Sequence, residues 1–302
     1  MVDLSGRWVK VDDVELVKTV HELVVVEFGR RALQYTDTAG ALEPREELRR
    51  LITLAGFPHH VPLFTTSLAD SLRLVAAVHL EQGECLDVED PTQREALAYA
   101  HCGRPKALYI QPHWRNPDGH VYSAEELRAA ASRMRLVVYD LTYGLMAAEV
   151  PPVAEVAVVV GSLDVLFPGL HLGFLAVPEE LFPTYLSLLE GTYLHPPTYM
   201  QYLFYAALKT RAVEKVFESL RRRWALASRF CPATPYFAWC RPRHKSIFLS
   251  HGAVEGSVFS RRGRFREYVR LGLTSATEEE LAEFFAGLPP EEFQSGRHSR
   301  EL

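Results

Sequence analysis

Apolar and polar positions alternate between two spacings along the first two thirds of the chain. Short apolar runs stand between longer segments in which apolar residues recur every three or four positions. The longer segments predict helices, at 14–28, 41–55, 69–80 and 123–133. The short runs predict strands, at 61–66, 86–88, 107–111, 136–139, 156–160 and 172–177. Strands that alternate with helices favour a mostly parallel sheet with helices on both faces.

The last third of the chain has a different pattern. Helical spacing at 181–190 and through a long segment, 199–230, is followed by short β-prone pieces and a closing helix, at 236–239, 246–250, 268–273 and 277–288. The fold class is therefore α/β, with a large domain whose mostly parallel sheet is sandwiched by helices and a smaller α+β domain. We predict three parts: an N-terminal arm and helix that belong to the small domain, a large domain and a small C-terminal domain, at 1–35, 36–195 and 196–302.

Composition and charge narrow the classes of function. Of the 302 residues 48% are hydrophobic and 24% charged, which is typical of a globular protein with a sizeable core. The net charge of −5 and a pI near 6.2 argue against nucleic-acid binding, because such domains usually have a pI above about 9. No apolar stretch approaches the roughly 20 residues needed to span a bilayer, and the N-terminus lacks signal-peptide features. We expect a cytoplasmic protein without a membrane partner.

Cysteine and histidine spacing does not predict a metal or redox centre. The four cysteines form no C-x-x-C pair, so we expect them to be reduced packing residues: Cys85, Cys102, Cys231 and Cys240. Four histidines lack a matching carboxylate spacing, so we expect no metal site: His59, His60, His113 and His120.

Three loops that follow predicted strands contain chemically informative residues. They are Gln-Pro-His-Trp-Arg-Asn-Pro-Asp-Gly at 111–119, Tyr-Asp-Leu-Thr-Tyr-Gly at 139–144, and a Gly- and Pro-containing loop at 161–173. Ligands of open α/β sheets bind at the carboxyl ends of the strands, so these loops are the place to look for a site. Further motifs are Ala-Leu-Gln-Tyr at 32–35 with Gly40, Val-Glu-Asp-Pro-Thr at 88–92 and Tyr-Val-Arg-Leu-Gly at 268–272.

In this order and spacing the six motifs resemble the class I/II aminotransferases, pyridoxal-phosphate-dependent enzymes of fold type I, and in particular their aminoadipate branch. The resemblance implies a homodimer and assigns four retained residues. Asn116 and Tyr143 would contact the ring hydroxyl of the cofactor, Asp140 would pair with the pyridine nitrogen, and Arg270 would hold the substrate carboxylate. Tyr35 and Gly40 match the substrate-binding motif. A turn at 116–119 and a helix-capping aspartate are the ordinary alternatives.

The match fails at the residues that hold the cofactor in the family. Counting back from Pro-Gly-Leu at 168–170 places Asp164 where the family has its Schiff-base lysine, and no lysine occurs between Lys106 and Lys209. The family's phosphate-binding arginine is His171, and its Gly-Ser-Gln loop is Ser67-Leu68-Ala69. Gln93 stands in the place of the aromatic residue that stacks on the cofactor ring.

These departures predict a pseudoenzyme with a binding or regulatory role. We expect no covalently bound cofactor and at most weak, non-covalent binding of pyridoxal phosphate. An active aminotransferase relative, or a small carboxylate or amino-acid ligand, would be the partner. The alternative is a divergent pyridoxal-phosphate-dependent aminotransferase that acts on an amino acid and a 2-oxo acid.

Overall fold

A six-stranded sheet forms the centre of the molecule. The computed structural model describes residues 2–6, 8–11, 13–132, 134–147, 150, 156–289 and 292–293. The strands of the sheet are β1 (His60–Thr65), β2 (Glu84–Val88), β3 (Arg104–Ile110), β4 (Leu136–Asp140), β5 (Val156–Ser162) and β6 (Gly173–Pro178). Their spatial order is β1-β6-β5-β4-β3-β2. Strands β2 to β5 are parallel, and β6 runs antiparallel to β5 and to β1.

Helices cover both faces of this sheet. The helices that precede or follow its strands are α1 (Val14–Ala32), α2 (Leu42–Leu54), α3 (Leu68–His79), α4 (Arg94–Leu97), α5 (Ala124–Ala131) and α6 (Phe182–Glu190). Adjacent strand residues enter different cores: Val137 and Tyr139 pack with α1, α2 and α7 (Thr198–Lys209), whereas Val138 packs with α3 and α6. The apolar runs of β4 and β5 are thus explained by burial on two sides.

A smaller antiparallel sheet lies in the C-terminal part. Its strands are β7 (Phe237–Cys240), β8 (Val254–Glu255) and β9 (Val269–Gly272), and the helices around it are α8 (Ala212–Ala227), α9 (Lys245–Ser250) and α10 (Glu278–Ala286). The N-terminal segment 2–6 joins this sheet, because the Gly272 amide donates to the Leu4 carbonyl at 2.7 Å. Val2 and Leu4 are buried in the same core as β7 and β9. The predicted domain limits stay a prediction.

Two predicted elements differ from the structure. The helix expected at 199–230 is two helices, α7 and α8, separated at Arg211, whose φ of +59° cannot continue a right-handed helix. The β-prone piece at 246–250 belongs to helix α9. Its apolar run is too short for its period to distinguish a strand from a helix. Helix α5 ends at Ala131, and Arg133, its predicted end, lies outside the described residues.

The prediction of four reduced cysteines is wrong. Cys85 is bonded to Cys102, and Cys231 to Cys240, with Cα atoms 5.7 and 5.2 Å apart. Cys85 lies on β2 and Cys102 just before the parallel neighbour β3, so strand pairing brings them together. Sequence spacing alone did not contain this information, because the partners meet through the tertiary fold.

Candidate functional site

Asp140 ends β4 at the carboxyl edge of the central sheet and is almost completely buried. Oδ1 accepts from the Thr142 amide at 2.8 Å and from the Thr142 hydroxyl at 2.6 Å. Oδ2 accepts from the Gln93 side-chain amide at 2.6 Å and from the Tyr109 hydroxyl. A carboxylate offers about four lone-pair positions, so donors of this chain occupy the full acceptor capacity of Asp140.

Burial also sets the protonation of this group. Desolvation raises the pKa of Asp140 to about 6, against the hydrogen bonds from Thr142 and Tyr109 that favour its charged form. The pKa of the Tyr109 phenol is raised well above its usual value, because the ring is buried and faces the Asp140 carboxylate. Tyr109 therefore stays a neutral donor to Asp140 at neutral pH.

Asn116 and Tyr143, two further residues of the predicted site, contact each other. The Asn116 side-chain amide donates to the Tyr143 hydroxyl at 3.3 Å, and the Asn116 backbone amide donates to Gln111 Oε1 at 3.1 Å. The Asn116 Oδ1 atom is buried and has no hydrogen-bond partner among the described residues. The Tyr143 ring packs on Tyr236 and Phe237, with centroids 5.0 and 5.1 Å away.

The N-terminus of α3 follows β1 at the same edge of the sheet. Ser67 caps the helix by accepting from the Asp70 amide at 3.2 Å, and Leu68 is buried. The Asp70 carboxylate accepts from the Thr66 amide and hydroxyl, each at 3.2 Å, and from the Tyr193 hydroxyl. A carboxylate of the chain itself therefore lies where a helix N-terminus would otherwise attract an anion.

Arg270, on β9, is buried and contacts the N-terminal segment. Its Nη2 atom donates to the carbonyls of Ser5 and Gly6, and its guanidinium lies 5.4 Å from the centre of the Phe259 ring. The group predicted to hold a substrate carboxylate thus holds backbone carbonyls 265 and 264 residues away in sequence.

The remaining predicted residues lie in other surroundings. Asp164 is half-buried in the loop after β5, where its amide is 3.4 Å from the Ser162 hydroxyl, and His171 is exposed. Tyr35 is 84% exposed, with one ring contact to His195. Gly40 has a φ of +113°, and an added Cβ would lie 2.4 Å from the Phe64 ring.

The lysines form ion pairs with glutamates or are exposed. Five of them form ion pairs, Lys10 with Glu280, Lys18 with Glu15, Lys106 with Glu84, Lys209 with Glu27 and Lys245 with Glu255. The sixth, Lys215, is exposed on α8. Lys106 lies inside β3 rather than before it, and five residue steps place it roughly 16 Å from the level of Asp140 along the strands.

Several residues of the site were not predicted from sequence. Thr142, two residues after Asp140, carried a usable signal, since aspartate often bonds the backbone two residues on. Tyr109, Asp70 and Tyr193 carried none, because their contacts depend on strand register and helix packing.

A second buried carboxylate, Glu89, lies just after β2. It accepts from the Gln111 amide at 3.0 Å and lies 3.8 Å from Arg115, which also pairs with Asp118. Desolvation raises the pKa of Glu89 to about 8, and Arg115 opposes the shift. The Tyr122 hydroxyl, 3.0 Å from Arg115, completes this buried network.

No protein-family model matches the chain. In sequence it is similar to an uncharacterized aminotransferase of Saccharolobus solfataricus, 25% identical over 256 residues, which are 69% of this chain and 64% of the relative. It is also similar to the 2-aminoadipate transaminase of Thermus thermophilus, 27% identical over 241 residues, 66% of this chain and 60% of the relative. Both matches span less than two thirds of the relative's own length.

Solved structures show the same fold. An archaeal alanine:glyoxylate aminotransferase superposes with a TM-score of 0.78 at 18% identity, covering 95% of this chain and 89% of the other. Kynurenine aminotransferase of Pyrococcus horikoshii gives 0.75 at 18% identity, with coverages of 94% and 88%. LysN, the alpha-aminoadipate aminotransferase of Thermus thermophilus, gives 0.74 at 21% identity, with 94% and 90%. The predicted fold class is confirmed.

Membrane-spanning helices and clusters of metal ligands are absent from the described residues. No helix in that part of the chain is long and apolar enough to cross a bilayer. Within the same ranges, no group of three or more His, Cys, Asp or Glu side chains is arranged to hold a metal ion.

Proposed function

The chain has the aminotransferase fold of type I and is similar to curated aminotransferases, and from this premise we propose that it is a catalytically disabled relative with a binding or regulatory role. The observation that carries the proposal is the complete occupation of Asp140. A pyridinium nitrogen needs one free lone pair on that carboxylate, and Thr142, Tyr109 and Gln93 take them all.

One further contact does not fit pyridoxal phosphate, and another does not fit its substrate. The Asp70 carboxylate, which Arg73 pairs at 2.7 Å, lies at the start of α3 where the phosphate would bind, and the Leu68 side chain offers no donor there. The Nη2 atom of Arg270, the predicted partner of a substrate carboxylate, donates to the carbonyls of Ser5 and Gly6 instead. We therefore propose that no cofactor is bound covalently and that pyridoxal phosphate binds at most weakly.

The absence of a suitable lysine supports the same proposal. Asp164 stands nearest the family's lysine in sequence, and each lysine paired with a glutamate would have to leave its partner to reach Asp140. Lys106 is roughly 16 Å from the level of Asp140 along the strands, and this distance is far larger than any displacement that catalytic geometry tolerates.

A small ligand or a protein partner would give the chain its role. The unpaired Oδ1 atom of Asn116 is a buried acceptor that a ligand's donor group would satisfy. We propose a homodimer as the assembly, and an active aminotransferase relative as the regulatory target.

The experiment that tests the proposal is an absorbance spectrum of the protein with excess pyridoxal phosphate, followed by borohydride reduction and peptide mass analysis. We expect the spectrum of free cofactor and only scattered labelling of exposed lysines. The matched control is Asp140→Asn, which should leave that scattered labelling unchanged. An aldimine band with one reduced lysine adduct that Asp140→Asn abolishes would overturn the proposal and favour the divergent aminotransferase.

A further inference from the structure

A cavity lies between the loop after β4 and helix α8. It has a volume of about 260 Å³. Tyr143, whose hydroxyl accepts a hydrogen bond from Asn116, forms part of its wall. The apolar and aromatic side chains that matter below are Trp114, Tyr143, Val216, Phe217, Leu220 and Tyr236. We call it the Tyr236 cavity. Tyr143, a predicted cofactor contact, lines it, whereas Asp140 and Arg270 do not, so the cavity adjoins the predicted cofactor site without including those two side chains.

The inner wall of the Tyr236 cavity is aromatic and aliphatic. Tyr143, Tyr236 and Leu220 are buried, and Trp114 contacts Tyr236 with ring centroids 5.8 Å apart. Apolar walls of this kind hold an aromatic ring well, because rings prefer tilted and edge-to-face neighbours. The volume suits one small organic molecule.

Two polar oxygen atoms in the wall have no hydrogen-bond partner among the described residues. Among the described residues no hydrogen bond is made by the Tyr236 hydroxyl, and burial raises the pKa of this phenol, so it is a neutral donor. The Glu214 Oε2 atom is buried without a hydrogen-bond partner in the same part of the chain. Its other oxygen is 3.6 Å from Arg211. A buried carboxylate oxygen without a donor is costly, and an ammonium group is the strongest donor that would satisfy it.

Cations lie beside these groups at the outer side of the cavity. Arg211 is exposed, and the guanidinium of Arg221 is 5.6 Å from the centre of the Phe217 ring. Glu214, Glu218 and these arginines together present two negative and two positive groups around an aromatic interior. This arrangement complements a zwitterion that carries a ring.

We propose that the Tyr236 cavity binds a free aromatic amino acid, with its ring against Trp114 and Tyr236, its ammonium on Glu214 and its carboxylate toward Arg211 or Arg221. The site does not rest on the proposed function. An aldimine of pyridoxal phosphate with a lysine of this chain would overturn the proposed function, but it would not contradict the proposal for the Tyr236 cavity.

The test is titration calorimetry of the full chain with phenylalanine, phenethylamine, 3-phenylpropionate and leucine. Phenylalanine should bind most tightly, phenethylamine more weakly, and phenylpropionate and leucine at least about tenfold more weakly than phenylalanine. Phenylalanine should also change the intrinsic tryptophan fluorescence, because Trp114 lines the cavity. Equal binding of phenylpropionate and phenylalanine, or no saturable binding of any of the four, would refute the proposal.

Two variants locate the site. Glu214→Gln should weaken the binding of phenylalanine by about tenfold or more and leave the binding of 3-phenylpropionate unchanged. Glu22→Gln, on the exposed face of α1, should change the affinity for neither ligand. Val216→Phe should fill the cavity and abolish binding. If Val216→Phe does not fold, Glu214→Gln still decides, since unchanged phenylalanine binding in that variant would place the ligand elsewhere.

Discussion

At the scale of single residues, two buried carboxylates dominate the chemistry of the sheet edge. Burial raises the pKa of Asp140 to about 6 and that of Glu89 to about 8. Asp140 is surrounded by neutral donors, whereas Glu89 has one cation, Arg115, at 3.8 Å. Desolvation outweighs the hydrogen bonds to Asp140 and the positive charge of Arg115 beside Glu89, so both carboxyl groups bind a proton more readily in the folded than in the unfolded chain.

We predict that the free energy of unfolding falls as pH rises from 6.5 to about 8. A folded-state pKa above the unfolded value means that the folded chain binds more protons, so stability is lost between the unfolded pKa of 4.5 and the folded value of about 8. The contribution of Asp140 is complete near pH 6. Three histidines with lowered pKa act in the opposite direction below about 6.5: His60, His79 and His120.

The measurement is urea unfolding at a series of pH values. Glu89→Gln should flatten the decline of the free energy of unfolding between pH 6.5 and 8. The slope that one carboxyl group can contribute there is at most about 1.4 kcal/mol per pH unit. Glu125→Gln, an exposed glutamate on α5, should keep the wild-type slope. A slope unchanged by Glu89→Gln would show that Glu89 is ionised in the folded chain at neutral pH.

At the scale of elements, the N-terminal segment 2–6 is bound to β9. The backbones approach closely, because an added Cβ on Gly6 would lie 2.5 Å from the Gly272 Cα atom, and Gly6 has a φ of +42°. The segment also supplies the carbonyls that Arg270 contacts. The segment therefore belongs to the core of the small sheet, and its carbonyls bind the guanidinium of Arg270, which was predicted to bind a substrate carboxylate.

We predict that Gly6→Ala lowers the free energy of unfolding by about 1–3 kcal/mol, because the methyl group must displace the segment from β9. Gly29→Ala is the matched control. Nothing lies within 4 Å of its added Cβ, and α1 should gain about 0.5–1 kcal/mol from the better helix former. Chemical denaturation measures both changes, and equal effects of the two substitutions would contradict the close packing of Gly6.

At the scale of the whole molecule, one surface region exposes large apolar side chains close together. Tyr35 and Leu42 line the same depression among charged and polar side chains, and their exposed fractions are 84% and 58%. Large exposed apolar side chains rimmed by polar residues are typical of protein interfaces. The homodimer and the cytoplasmic location both remain predictions.

We predict that the chain sediments as a dimer and that the double variant Tyr35→Asp/Leu42→Asp sediments as a monomer, since two charges would be desolvated in the interface. Val121→Asp, at a valine that is 48% exposed in the loop before α5, should remain dimeric. Sedimentation velocity distinguishes these states. A monomeric wild-type chain would refute the homodimer.

Local sequence patterns were sufficient to predict most of the fold and the position of the candidate site. The period of apolar residues located all six strands of the large sheet, and the polar residues after β3 and β4 placed Asn116 and Asp140 at its carboxyl edge. Both inferences needed only neighbouring residues, because side-chain periodicity and strand-end loops are local properties of the chain.

The tertiary structure decided what those residues contact. Gln93 and Tyr109 reach Asp140 from 47 and 31 residues away, and Arg270 meets Ser5 across 265 residues. The two disulfides also depend on pairing between separate elements. Such contacts follow from strand register, loop path and packing, which the periodicity of a single segment does not encode. The sequence by itself therefore located the strands and the loops at their carboxyl ends, and only the fold showed which donors and carbonyls of the chain contact Asp140 and Arg270.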